Sequence, residues 1–148
     1  MSQTTWSGPL QSGDKPAGAP GGPNIGQVFL SQTFLINFTG LVQTGSIIMP
    51  ANSQIVEIYA DVLTPYNPVG TAVLTVGSAA GGTQYVTSVP AKTGGRNTTT
   101  HTAAQCIAMA NIGTNTTLFG TVTCADVPGT PQGQVRVTVQ YVQTTSQD

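Results

Sequence analysis

From Gln27 onward, apolar and polar positions alternate in short runs broken by Gly, Pro and Asn, the pattern of half-buried β-strands. In QTFLINF, Phe34, Ile36 and Phe38 alternate with Leu35 and Asn37. LVQTGSIIMP predicts a second strand, with Gly45 as a bulge and Pro50 as its end. In SQIVEIYADVL, period-2 alternation places Val56, Ile58, Ala60 and Val62 on one face and Ile55, Glu57, Tyr59 and Asp61 on the other. TPYNPVG is a turn cluster. TAVLTVG and TQYVTSV read as hairpin partners around SAAGG, and PAKTGGRNTTTH as a long polar loop. TAAQCIAMANIG breaks the rhythm. Ala104, Ile107, Ala108 and Ile112 recur at helical spacing, with Thr102 to cap the start and Gly113 to end it. NTTLFGTVTC and GQVRVTVQYV are strands again, the last with Val135, Val137, Val139 and Tyr141 facing one way. The expected core therefore contains Val56, Ile58, Val62, Val135, Val137 and Val139.

Strand follows strand with one short helix and no βαβ rhythm, which points to an all-β fold, an antiparallel β-sandwich. A jelly roll suits the length best, and an immunoglobulin-like sandwich comes second. The domain is expected over residues 25–148. Residues 1–24 have neither period. They hold Pro9, Pro16, Pro20 and Pro23 with five glycines, the composition of an extended arm without a core of its own. Fully stretched, such an arm reaches about 80 Å. It carries two bulky apolar residues, Trp6 and Leu10. They either fold back on their own domain or anchor the arm to a partner.

Charge narrows the classes. Only 6% of the 148 residues are charged, 4 basic and 5 acidic, for a net charge of -1, against about 25% in ordinary soluble domains. Four scattered cations cannot build the basic patch that phosphate neutralisation needs, so nucleic acid is not an expected partner. No apolar run approaches the ~20 residues of a membrane-crossing helix. The N-terminus lacks the basic and apolar regions of a secretory signal. So little charge gives little repulsion between copies, which suits a protein that ends in an assembly.

Chemistry is sparse. Glu57 and Asp61 share a strand face, but four residues of strand separate them by about 13 Å, beyond the spacing of paired glycosidic carboxylates. Pairing of one of them with Arg136 across neighbouring strands is the better reading. His101 is the single histidine, and its place before a helix reads as a solvated loop residue. It has no second histidine or CxxC near it for a metal, and neither a GxSxG elbow nor a phosphate-binding glycine pattern occurs. No catalytic residue, metal or cofactor is expected. Cys106 and Cys124 read as unbridged, buried small hydrophobes. The sequons at Asn37, Asn97 and Asn115 arise readily by chance in a Thr-rich chain. Lys92 and Arg96 flank a small basic loop, which reads as a solvated turn or, less simply, as a site for an anion or a contact for an acidic partner.

The runs SGPLQSGDKPAG, LVQTGSIIMPANSQIVEIYADVLTPY, AVLTVGSAAGGTQYV, NIGTNTTLFGTVTC and GQVRVTVQYV, spanning Ser7 to Val142, resemble the capsid decoration (cement) proteins of tailed bacteriophages. The resemblance implies a β-sandwich or jelly roll on the outer capsid that bridges major capsid subunits. It implies the major capsid protein and further copies of the chain (a dimer or trimer) as partners, and production in the bacterial cytoplasm. It carries over no catalytic residue. Trp6, Leu10, Lys92 and Arg96 are then the candidate partner-binding residues. The competing reading is a carbohydrate-binding or adhesin-type module, for which Tyr59, Tyr66 and Tyr85 are the available stacking aromatics.

Overall fold

A computed structural model describes residues 29–143. The expected arm, with Trp6 and Leu10, lies outside the described residues. The described chain forms β1 (Phe29–Asn37), β2 (Val42–Met49), β3 (Ser53–Thr64), β4 (Ala72–Gly77), β5 (Val86–Pro90), β6 (Gly95–Thr98), α1 (Ala103–Ala110), β7 (Thr116–Cys124) and β8 (Gln134–Gln143).

The strands make two four-stranded antiparallel sheets, ordered β1-β8-β3-β6 and β2-β7-β4-β5. Successive strands cross between sheets or return beside earlier ones, and the two interlocked orders are those of an eight-stranded jelly roll. Between the sheets lie Val135, Val137, Val139 and Tyr141 of β8, Ile58, Ala60 and Val62 of β3, and Leu74, Val76, Leu118 and Val122 of the opposing sheet. Five of the six expected core residues are buried.

Val56 is the exception. It is 41% exposed, while Ile55 beside it is buried. The β3–β8 register slips between Ile55 and Glu57. A bulge there reverses the alternation, so Ile55 and Ile58 both point inward although three positions separate them. Conversely, Gly45 is not a bulge. β2 pairs with β7 without any slip, and Gly45 stands directly opposite Gly120. The ring of Phe34 rests on that glycine pair: a Cβ built on Gly120 would lie 2.8 Å from Phe34 Cε2 and Cζ.

The loop expected over PAKTGGRNTTTH contains β6, a short edge strand on β3. The helix starts where its cap predicted. Thr102 Oγ1 accepts from the Gln105 amide and the Gln105 side chain accepts from the Thr102 amide, a reciprocal capping box. It ends at Ala110, before Gly113. Its buried residues are Gln105 and Met109, and Ile107 faces outward. The apolar spacing misled because Gln105 is held inward by polar bonds: its Nε2 donates to the Thr83 carbonyl and to Thr87 Oγ1. Beyond the helix, Ile112 pairs with Ser53 at the start of β3.

Candidate functional site

The loops divide between the two ends of the sandwich. Segments 38–41, 65–71, 91–94 and 125–133 meet at one end, where β3 finishes and β8 begins. This end is knitted by backbone bonds: Tyr66 to Ala91, Asn67 to Gln132, Phe38 to Gly133 and Ala125 to Thr71. Under it, Tyr66 is buried, stacks on Phe38 and donates its hydroxyl to the Ile36 carbonyl. Burial pushes that phenol well above its usual range.

Lys92 works inside this cap. Its Nζ donates to the carbonyls of Pro68 (2.9 Å), Val69 (3.3 Å) and Gly70 (2.8 Å). Asp126 takes the other side of the same turn, accepting from the Val69 amide at 2.9 Å and the Gly70 amide at 2.8 Å. Those two amides, Gly70 first, hold the Asp126 carboxyl below the usual range, with the Lys92 charge assisting. Asn67 adds bonds to Thr130 and Gln132. Two charged side chains of a charge-poor protein thus hold one short turn, and at its tip Val69 is 90% exposed. Val127, next to Asp126, is exposed as well.

Arg96 also has an internal partner. Its Nε and Nη2 donate to the two Asp61 oxygens at 2.7 and 3.1 Å, and Arg136 Nη2 reaches Asp61 Oδ2 at 3.0 Å. Register explains the cluster, since Asp61 stands opposite Arg96 on β6 and Arg136 on β8. Pairing of Asp61 with Arg136, expected from the alternation, is present. The Arg96 hydrogen bond, opposed by burial and helped by Arg136, lowers the Asp61 pKa to about 2. The Arg96 guanidinium also lies over the Tyr59 ring, 5.0 Å from its centre.

His101 departs from the solvated reading. Its side chain is only 12% exposed. Nδ1 lies 3.1 Å from the Tyr85 carbonyl, and Nε2 lies 2.9 Å from Thr99 Oγ1 and 3.2 Å from Glu57 Oε1. A carbonyl only accepts, so Nδ1 carries a proton. Thr99 Oγ1 also lies 3.0 Å from the Ile58 carbonyl and 3.3 Å from Glu57 Oε1. Each member of this trio is occupied by another, and the imidazole ties β3 of one sheet to the residue preceding β5 of the other. A triad would need a free hydroxyl aimed at open space; Thr99 is turned onto the backbone.

Among the described residues no group of three or more His, Cys, Asp or Glu side chains could hold a metal. Cys106 and Cys124 are free thiols, as expected, but only Cys124 is buried; Cys106 is exposed on α1. Of the stacking candidates, Tyr66 and Tyr85 are buried, and Tyr59 lies half-buried beneath Arg96. No row of exposed aromatics for sugar stacking exists among the described residues.

TPYNPVG reads as a turn, but nothing local marks Val69 as its braced tip, because Lys92 and Asp126 are remote from it in the chain. No family model matches the chain, and no curated protein matches it. Solved structures do. A chain of the capsid asymmetric unit of cyanophage Pam1 superposes with a TM-score of 0.58 at 22% identity, covering 85% of this chain and 92% of that one. A chain of the capsid of Ralstonia phage GP4 superposes with a TM-score of 0.58 at 17% identity, covering 85% and 91%. The jelly roll is therefore a fold this chain shares with chains of two phage capsids.

Proposed function

We propose that this protein is a structural component of a phage virion, which binds the outside of the capsid and bridges major capsid subunits without catalysing a reaction. The observation that carries the reading is the shared jelly roll, matched over 85% of the chain to chains of two phage capsids. The charge distribution supports it. Lys92, Arg96, Asp126, Asp61 and Arg136 are all engaged within the chain, so the surface of the described residues offers little charge to a soluble substrate. A cement protein works by modest contacts repeated over many copies. Anything that binds assembled shell but not free subunits stabilises the shell by mass action.

In this reading Trp6 and Leu10, on the Pro- and Gly-rich segment 1–24, anchor the chain to the shell or to neighbouring copies. Val69 supplies a second contact, since an apolar side chain on a pre-braced turn loses little freedom on docking. The test is co-sedimentation with shells of the cognate phage assembled without this protein. Full-length chain should pellet with shells, protect them against heat, and leave free capsid subunits untouched. A chain that stays in the supernatant at tens of micromolar is not a decoration protein.

A further inference from the structure

Four residues stand in one row across the sheet β1-β8-β3-β6. In register they are Leu35 on β1, Arg136 on β8, Asp61 on β3 and Arg96 on β6. Directly opposed residues of antiparallel strands point to the same face, and the buried neighbours Ala60, Val135 and Val137 fill the other. The row therefore lies on the outer face of the sandwich. Its charges do not balance. Asp61 is one carboxylate between two guanidinia, and its side chain is 10% exposed against 57% for Arg96 and 44% for Arg136. Asp61 stays ionised at neutral pH, because the Arg96 hydrogen bond above all holds its carboxyl at about 2. One positive charge is left over. Glu57, the other carboxylate of β3, is about 13 Å along the strand and faces His101 and Thr99. That separation exceeds the screening length of about 8 Å at physiological salt. Donors are left over too. Arg136 reaches Asp61 through Nη2, and its Nε and Nη1 bond nothing among the described residues. Arg96 engages Nε and Nη2 and leaves Nη1 open.

We propose that this row receives a carboxylate and, resting on the virion reading, that the carboxylate is an Asp or Glu side chain of the shell subunit on which the chain sits. Charge complementarity names the occupant. A leftover positive charge carried on planar N–H forks selects a planar anion. A single charge is too little for a nucleic-acid backbone. Leu35 at one end of the row and Leu63, two residues beyond Asp61, are exposed. They favour a side chain on a protein surface over a free inorganic anion, which would leave them in water. Once covered, they exclude water from the ion pair and strengthen it. Asp61 fixes the forks before docking: Arg96 grips both of its oxygens, and the same guanidinium lies over the Tyr59 ring. Ordering these long side chains then costs the encounter little. The row is also continuous with the end that carries Val69, since β3 finishes at Thr64, β6 begins at Gly95 and β8 begins at Gln134. One partner surface can meet both.

Two measurements on the full chain test this. The first needs no shell. An acetylated, amidated Glu-Leu peptide is titrated into isotope-labelled protein while the arginine Nε–H resonances are followed. Those of Arg136 and Arg96 should shift and saturate in the millimolar range, and the Gln-Leu counterpart should leave them unmoved. The second is co-sedimentation with shells assembled without the protein. Arg136→Gln should weaken binding about tenfold and flatten its dependence on sodium chloride, with an unfolding midpoint close to wild type showing that the fold is kept. Arg136→Lys keeps the charge but not the fork, so it should restore the salt dependence and only part of the affinity, a split that a merely structural Arg136 would not give. If Arg136→Gln and Arg96→Gln both bind shells with wild-type strength and salt dependence, the proposal falls and the virion reading stands. A chain that binds the Glu peptide but ignores shells supports the carboxylate site and overturns the virion reading. Arginine resonances that respond alike to both peptides overturn the site.

Discussion

Phe34 and Gly120 occupy one another's space: the ring of one fills the volume where a side chain on the other would stand. The contact crosses the sandwich from β1 to β7, and Gly45 on β2 completes the seat. Adding a methyl at Gly120 or Gly45 forces the ring out of place. Overpacking of this kind costs about 1–3 kcal/mol.

Gly120→Ala should lower the denaturant midpoint accordingly, and Phe34→Ala should lower it through lost burial. Because the added methyl would occupy the space the ring leaves, the double variant should be more stable than the sum of the single losses implies. Additive losses would mean that Phe34 does not rest on the glycine pair.

The same packing shows what local pattern can reveal. Alternation located β8, the β4–β5 hairpin and the inward face of Ile58, Ala60 and Val62, because those runs are regular and half buried. It failed at Val56, where one inserted residue reverses the faces, and at Gln105, where hydrogen bonds outweigh apolar spacing. Gly45 looked like a bulge because its partner Gly120 is distant in the chain and no local window holds both. Arg96 read as a loop cation for the same reason: its partner Asp61 is met only once β6 joins β3. The braced turn around Val69 was equally out of reach, since its two clamps come from other loops.

Acid should loosen the sheet formed by β1, β8, β3 and β6. The Asp61 carboxyl titrates at about 2 in the folded chain, below its ordinary 3.8. Its contribution is therefore present above pH ~4 and is lost as pH falls toward 2. Both guanidinia are substantially exposed, and solvent screening holds the contribution to about 1 kcal/mol. Asp61→Asn should remove it at neutral pH and flatten the stability profile between pH 4 and 2. An unchanged profile would show that the ion cluster adds nothing to stability.

His101 should act as a strap between sheets. His101→Ala leaves the Tyr85 carbonyl without the imidazole that bonds it in a largely buried place, a change that costs about 1–3 kcal/mol. Amide exchange should rise first around Val86 and Ile58, the strands it joins. If exchange rises only in the 99–102 segment, the imidazole holds its own loop and nothing more.

Val69 offers the sharpest separation of binding from folding. Its side chain touches little within the chain, so Val69→Asp should leave the unfolding midpoint within about 0.5 kcal/mol of wild type. The turn beneath it is braced, with Asp126 on its amides and Lys92 on its carbonyls. Docking an apolar tip held this way incurs little ordering cost, and a carboxylate in its place would have to be desolvated. Shell binding by Val69→Asp should fall at least tenfold. Asp126→Asn tests the bracing itself: Val69 keeps its side chain, yet exchange of the Val69 and Gly70 amides should quicken and binding should weaken by a smaller factor. If Val69→Asp binds shells as wild type does while removal of residues 1–24 abolishes binding, the N-terminal segment carries the attachment and this end of the sandwich faces away from the capsid.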